Sequence, residues 1–270
     1  KYLIKKNNPD FLLIAIPSLN QKQRKKFINK FIEFNIPIKI LPSVFDIFTG
    51  KNKLNEINNF ELSDFIERDI SWNQDKINNF VKDQIILITG AGGSIGSELT
   101  KQVILCKPKI VILIDHSEYN LFKIITEIDN LINKRKLNST YVSKLGSIKD
   151  KSFLNVIFKQ YSPKIIFHAA AYKHVNILEN NFMEAVKTNI LGTKYLLDVS
   201  YDNNVEHFHY ISTDKAVNPK SVMGATKRFS EKLVNSYNND KIKKTVIVRF
   251  GNVINSDGSV LPIFKKQIEN

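Results

Sequence analysis

Ser212-Thr213-Asp214-Lys215, followed closely by Met223-Gly224-Ala225-Thr226-Lys227, gathers hydroxyls, a carboxylate and two amines into one short stretch. Adjacent Asp214 and Lys215 offer an acid and a base. A partly desolvated pocket can move their pKa values toward neutrality, which proton transfer near pH 7 requires. Met223 carries a thioether that cannot ionise, so it acts only by shape or by excluding water. In an ordinary loop the Asp-Lys pair is simply solvated, so its meaning depends on what lies around it.

A second group lies well upstream. Thr89-Gly90-Ala91-Gly92-Gly93-Ser94-Ile95-Gly96 follows the apolar run Ile85-Ile86-Leu87-Ile88 and opens a helical pattern. Glycines at 90, 93 and 96 allow a tight turn, close approach of backbone to a pyrophosphate, and close helix contact. The helix start at Ser94 and Ile95 faces the anion. Asp115 closes the next strand about 20 residues on, the spacing at which a carboxylate grips adenosine ribose hydroxyls. A glycine turn with a strand-end Asp capping a helix is the plainer reading; alone, a glycine pattern is weak evidence. Asp115 repels a 2′-phosphate, and His116-Ser117-Glu118 supplies no arginine, so NAD is expected over NADP. With a dinucleotide in view, Lys227 gains a role: its ammonium can bind nicotinamide-ribose hydroxyls.

A third group is His168-Ala169-Ala170-Ala171-Tyr172-Lys173-His174-Val175. Small residues after a strand let backbone lie against a cofactor, leaving Lys173 and His174 to face phosphates or substrate. A helix start with a solvated lysine and a structural histidine fits the same residues. Asn189, in a helical stretch with Val186, Leu191 and Leu196, either orients site loops through its amide or bonds locally.

These groups need a frame, and periodicity supplies one. β-rich runs cover 85–89, 110–115, 141–145, 164–168, 207–212 and 245–250. Helical spacing covers 94–106, 119–134, 151–160, 183–201 and 221–237. Apolar strands separated by helices predict a doubly wound parallel sheet, because parallel neighbours need crossover connections. Earlier, 11–17, 21–34 and 36–41 read as strand, helix and strand, the end of a small α/β domain over 1–48. Residues 49–82 read as a linker carrying a short helix, and 83–270 as the dinucleotide-binding domain.

Composition sets the limits. The net charge of +14 suits acidic ligands, an anionic membrane or nucleic acid. The basic residues are scattered, however (around 22–26, 134–136 and 241–244), and lack the interleaved aromatics of a single-strand platform. No nucleic-acid partner is expected. Cys106 is the only cysteine, which excludes a disulfide framework and a cysteine metal site, and no metal is expected. It ends a helical pattern and reads as a buried structural thiol. No apolar run approaches the roughly 20 residues of a membrane span. The chain lacks an initiating Met, and Phe264-Lys265-Lys266-Gln267 reads as a helix cut short, so a piece of a longer protein is expected.

At Gly90–Gly96, His168–Val175, Ser212–Ala216 and Lys227 the chain resembles the extended short-chain dehydrogenase/reductases that act on nucleotide sugars. The runs Thr89 to Leu99, Asp115-His-Ser-Glu, His168 to Val175 and Arg249-Phe-Gly-Asn-Val are similar to the UDP-N-acetylglucosamine 4,6-dehydratases of polysaccharide and glycan biosynthesis. One branch keeps a tyrosine where Met223 stands, and a longer, membrane-anchored branch has Met. The resemblance to that longer branch implies transmembrane helices and a small Rossmann-like domain before the catalytic domain, anchoring at the inner face of a bacterial plasma membrane, and retention at C5 of the sugar. A homo-oligomer is also expected.

The chemistry implied is an internal redox elimination giving a 4-keto-6-deoxy sugar nucleotide. Lys215 would take the C5 proton and Asp214 would protonate the departing C6 hydroxyl. Thr213 can relay a proton but is a poor base, so Asp214 or a water held by Lys227 would deprotonate the C4 hydroxyl. The resemblance adds His116, Ser147, Ile148, Ala169, Ala170, Ala171, Lys173 and Asn189 to the cofactor contacts, and assigns Lys173, His174 and Asn252 to the substrate. Two positions depart from the pattern: Ser147 stands where relatives place an Asp touching adenine, and Asn176 replaces a proline. A nucleotide-sugar 4-epimerase is the alternative, though it needs no acid–base pair for C5 and C6. A non-catalytic NAD or nucleotide-sugar module is the alternative of another class.

Overall fold

A computed structural model describes residues 2–7, 9–16, 21–34, 36–40, 58–59, 73–238 and 242–253. The chain divides into two units, Lys1–Trp72 and Asn73–Asn270. Within the first lie α1 (Tyr2–Asn7), β1 (Leu12–Ile14), α2 (Gln21–Phe31), β2 (Ile38–Ile40) and β3 (Asn58–Asn59). β1 runs parallel to β2, with Leu12 opposite Ile38, and β3 adds antiparallel. The expected strand–helix–strand order is there, with shorter strands. Ile4, Ile14 and Ile28 are its buried side chains among the described residues.

The second unit begins with α3 (Gln74–Val81), capped by Asn73, whose side chain accepts from Lys76 N–H. This helix falls in the stretch read as a linker, and its Val81, Ile77 and Phe80 join a core cluster of the second unit. Then β4 (Ile85–Thr89), α4 (Ser94–Leu105), β5 (Ile110–Asp115), α5 (Glu118–Arg135), β6 (Tyr141–Leu145), α6 (Lys151–Tyr161) and β7 (Ile165–His168) alternate. α7 (Val175–Asn180), α8 (Phe182–Ala185), a π-helical stretch (Val186–Gly192) and α9 (Thr193–Asp202) follow. β8 (His207–Thr213), α10 (Val222–Ser236) and β9 (Lys244–Phe250) complete the described elements.

All six strands of this unit are parallel, in the order β6-β5-β4-β7-β8-β9. The order reverses between β4 and β7, the switch point at which doubly wound sheets open a crevice beyond their carboxyl ends. Central strands are covered on both faces, so β4 and β5 read as continuous apolar runs. Ile86, Ile88, Val111 and Leu113 face one cluster with α4 and α5 residues. Leu87, Ile112, Ile166, Phe208 and Tyr210 face the other, with α6, α9 and α10 residues. The chain is thus an α/β protein with a Rossmann-type parallel sheet.

One helical expectation changes. The single helix expected over 183–201 is α8, a π-helical stretch and α9 in succession, while α7 has His174 as its N-cap, where a helix start is one of the two readings. Cys106 caps α4 and is buried, its Sγ 3.3 Å from the Gln102 carbonyl. The remainder of the expected linker (49–57 and 60–72) and the helical pattern at 264–267 lie outside the described residues.

Candidate active site

The strand register levels the carboxyl ends. Thr89 pairs with Ile114 and His168, and His168 with Tyr210, so the loops after β4, β5, β7 and β8 emerge along one edge. Gly90 takes φ +66°, a left-handed conformation that side chains disfavour, and an added Cβ would sit 2.7 Å from Ala170 backbone. At Gly96 a Cβ would lie 1.9 Å from the Gly90 carbonyl oxygen. Gly92, which the glycine spacing did not single out, is equally tight, 2.4 Å from the Asn120 carbonyl. Gly93 is the roomiest of the four, with Gly90 O at 3.3 Å, and it stands at the N-cap of α4.

A cavity of about 300 Å³ opens beside this loop. Gly90, Gly93, Asp115, His116, Ser147, Ile148 and Ala169 to Ala171 line it, as the sequence reading placed them. Tyr172 of the His168–Val175 run lines it too, as do Asn120, Gly146, Lys149 and Thr188, to which the sequence assigned no role. Ser94, Ile95 and Gly96 form the first turn of α4 beside it. Lys173 and His174 are exposed on the loop after β7, with His174 at the N-cap of α7, and are not among the cavity-lining residues.

Asp115 is 4% exposed and its carboxylate is held from both sides. Oδ2 accepts from Gly92 N–H and Oδ1 from Ser117 N–H, each at 2.9 Å. A carboxylate offers about four acceptor sites. The two that remain suit a pair of hydroxyls, and a second anion there would be repelled. His116 Nδ1 lies 3.6 Å from Oδ1 on a largely exposed side chain. The cradle of glycines, the alanine floor and this fixed carboxylate fit the adenosine and pyrophosphate portions of NAD.

A buried hydrogen-bond chain supports the cavity floor. Ala170 N–H donates to Thr89 Oγ1 at 3.4 Å, which lies 2.7 Å from His168 Nδ1. His168 Nε2 lies 2.9 Å from Thr193 Oγ1, which donates to the Asn189 carbonyl at 2.6 Å. Since Thr193 spends its proton on Asn189, it must accept from Nε2–H, leaving Nδ1 to accept from Thr89. Only a neutral imidazole fits that polarity. Burial pushes the His168 pKa down to about 3, with Lys227 adding repulsion.

The Asn189 amide is fully engaged. Its Oδ1 accepts from Tyr172 N–H at 2.9 Å, while Nδ2 donates to Tyr172 O and Thr226 Oγ1 at 3.1 Å each. It therefore clamps the β7 loop to α10, the loop-orienting alternative, and it is not among the cavity-lining residues. The clamp sits in the π-helical stretch, a feature often found at functional sites.

The group around Asp214 and Lys215 assembles at the ends of β8 and β9. Thr213 Oγ1 donates to Asp214 Oδ1 at 2.9 Å, and Lys215 Nζ donates to the same oxygen at 3.2 Å and to Asn252 Oδ1 at 3.1 Å. The Asp214 pKa is lowered chiefly by the Thr213 bond, helped by Lys215, so the exposed group is a carboxylate. Gly224 lets α10 start close by, since a Cβ there would lie 2.6 Å from Lys215 O. Ser221 caps that helix by accepting from Gly224 N–H. Met223 is 4% exposed among Leu178, Ala185 and Tyr172.

Lys227, one turn on, is 7% exposed. Its Nζ donates to Ile211 O at 2.7 Å and lies 4.5 Å from the Tyr210 ring centroid. Burial pushes its pKa down to about 7, against the opposing pull of Glu231. Glu231 itself escaped the sequence reading: it is 2% exposed and takes hydrogen bonds from Ser212, Arg228 and Arg249. Its only sequence signal was an acidic residue on the apolar side of a helix. Among the described residues no cluster could hold a metal ion, and no helix is long and apolar enough to cross a membrane.

Known proteins resemble this chain in sequence and fold. A family profile described as polysaccharide biosynthesis protein matches residues 86–270. The chain is 38% identical, over 98% of its own length and 44% of the relative's, to the probable polysaccharide biosynthesis protein EpsC of Bacillus subtilis. It is also 38% identical to a UDP-N-acetylglucosamine 4,6-dehydratase (inverting) of Campylobacter jejuni, over 68% of the chain and 53% of that protein. The solved structure of Pen from Bacillus thuringiensis superposes with a TM-score of 0.63 at 34% identity, covering 71% of this chain and 59% of that one. The chain spans about half the length of the curated relatives it matches. With the profile covering most of the chain and the parallel sheet carrying its motifs at the carboxyl edge, the chain belongs to the polysaccharide biosynthesis protein family, within the extended short-chain dehydrogenase/reductases.

Proposed function

We propose that this chain carries the catalytic domain of an NAD-dependent nucleotide-sugar 4,6-dehydratase acting on UDP-N-acetylglucosamine. The observation that carries the reading is the hydrogen-bonded Asp214–Lys215 pair at the end of β8, on the same sheet edge as the Asp115 cavity. Held by Asp115 at the ribose and by Gly90, Gly93 and the start of α4 at the pyrophosphate, bound NAD would supply a reversible acceptor for a hydride taken from C4 of the sugar and returned to C6.

The chain's own groups handle protons. Asp214 begins as a carboxylate, the form that can take the C4 hydroxyl proton, and Met223 leaves no phenol to compete for it. The resulting 4-keto group acidifies C5, whose proton passes to Lys215 in its unprotonated amine form. Asp214 then returns its proton to the C6 hydroxyl, which leaves as water, and Lys215 reprotonates C5. Asn252 holds Lys215 in line, and Thr213 orients Asp214. Lys173 and His174, on the neighbouring loop, are suited to the substrate's phosphates. Residues 1–48 fit the end of a small Rossmann-like domain, and we assign the intact protein to the inner face of a membrane as a homo-oligomer.

Incubating the intact protein with NAD and UDP-N-acetylglucosamine in deuterated water tests this. A 4-keto-6-deoxy sugar nucleotide labelled at C5 is expected. An epimerised, unlabelled sugar would replace the reading with a 4-epimerase.

A further inference from the structure

One buried carboxylate ties together the ends of β8 and β9 and the helix α10. Glu231 Oε1 accepts from Ser212 Oγ and Arg249 Nε, each at 2.7 Å. Oε2 accepts from Arg249 Nη2 at 2.6 Å and Arg228 Nη1 at 3.2 Å. Ser212 immediately precedes Thr213-Asp214-Lys215 and pairs with Arg249 across β8 and β9. Arg249 leads through Phe250 and Gly251 to Asn252, the residue that holds Lys215. Arg228 follows Lys227, which lies one helical turn before Glu231 on α10. Four bonds saturate both oxygens, and the Arg249 fork is bidentate, the geometry that fixes direction as well as distance.

We infer that Glu231 is a positioning residue, a clamp that holds the β8 end, the β9 end and α10 in the one arrangement in which Asp214, Lys215 and Lys227 face the same substrate. The clamp acts through other residues and touches no substrate itself. A buried carboxylate carries a desolvation penalty, which the paired Arg249 and Arg228 offset here. Its charge has a second effect, on Lys227. Glu231 is the anion that favours the protonated amine, burial opposes it, the neutral His168 on β7 adds no charge, and Tyr210 lies beneath it.

The inference rests on the dehydratase reading and is tested in the intact protein with two variants. Glu231→Gln keeps the shape and removes the charge. Ser212→Ala removes one of the four bonds and keeps every charge. Glu231→Gln should lower kcat at least about tenfold, because small misplacements of reacting groups carry large rate losses. KM for the sugar nucleotide should change less than about threefold. Its alkaline limb of kcat against pH should move to lower pH, since Lys227 then loses its proton more readily. Ser212→Ala should lower kcat less and leave that limb in place. A brace with no tie to the chemistry would shift neither kcat nor the limb in folded protein. If removing a buried charge prevents folding, Ser212→Ala decides alone: kcat within about twofold of the unmodified protein overturns the inference. An unmodified protein that makes no dehydrated product overturns the dehydratase reading as well, so the two failures are told apart.

Discussion

Lys215 and Lys227 are both amines beside the proposed chemistry, yet their surroundings give them different tasks. The Lys215 side chain is 43% exposed and bridges Asp214 and Asn252 at the sheet edge. Lys227 is buried, its pKa pushed down to about 7 by burial against the pull of Glu231. Met223 packs in an apolar cluster with Leu178 and Ala185. Lys215→Ala, Lys227→Ala and Asp214→Asn should each lose at least about a hundredfold in rate, the scale of one acid–base group. Met223→Leu keeps apolar volume and should retain most activity. Rates of the four variants at fixed NAD and substrate check this, and near-equal rates would end the catalytic assignment. Asp214, Lys215 and Lys227 were legible in the sequence because each sits beside a strand end or a glycine motif. Glu231 was not, because its meaning comes from Ser212 and Arg249, which only the register of β8 and β9 brings to it.

Between strand and helix, the β4–α4 connection shows how element-level geometry separates two kinds of glycine. Gly92 and Gly96 have backbone atoms where a Cβ would go, at 2.4 and 1.9 Å, and backbone cannot swing aside as a side-chain tip can. Gly93 meets only one atom, at 3.3 Å. Gly92→Ala and Gly96→Ala should therefore lower stability by about 1–3 kcal/mol, the range for overfilling a close-packed site. Gly93→Ala should leave the urea midpoint nearly unchanged while weakening NAD binding, because its methyl would point at the ligand side. Urea melts and NAD titrations on the three variants would expose the reverse pattern at once. Glycine spacing suggested 90, 93 and 96, but the role of 92 depends on Asn120 in the next crossover helix. The same limit hid the π-helical stretch. One extra residue per turn at Val186–Gly192 barely disturbs an apolar periodicity, and it is held by the Asn189 clamp rather than by local preference. Strands, by contrast, were plain, since burial on both faces demands unbroken apolar runs.

At the scale of the whole molecule, the sheet encloses histidines whose neutrality the fold depends on. His168 is held neutral with its pKa near 3, and His209, stacked on Phe167, is pushed down to about 4, in both cases chiefly by burial. His207, beside it, is lowered in the same direction. An unfolded chain returns each imidazole to its ordinary value near 6.5. Between the folded and ordinary values the unfolded state binds more protons, so acid favours unfolding and stability rises with pH. The contribution is complete above about 6.5 and is lost as pH falls toward the folded values. Lowered carboxylates such as Asp198 and Glu231 act in the same sense, but below their ordinary range near 4. The interval from about pH 4.5 to 6.5 therefore belongs to the histidines, with a slope of up to about 1.4 kcal/mol per pH unit for each proton taken up. His168→Gln keeps a polar side chain between Thr89 and Thr193 and removes one titration. Urea midpoints measured across that interval should rise with pH in the unmodified chain and rise less steeply in the variant, even though the variant is less stable at neutral pH. Parallel lines for the two proteins would mean that His168 carries its proton in the folded state, and the polarity of the Thr89–His168–Thr193 chain would have to be reversed.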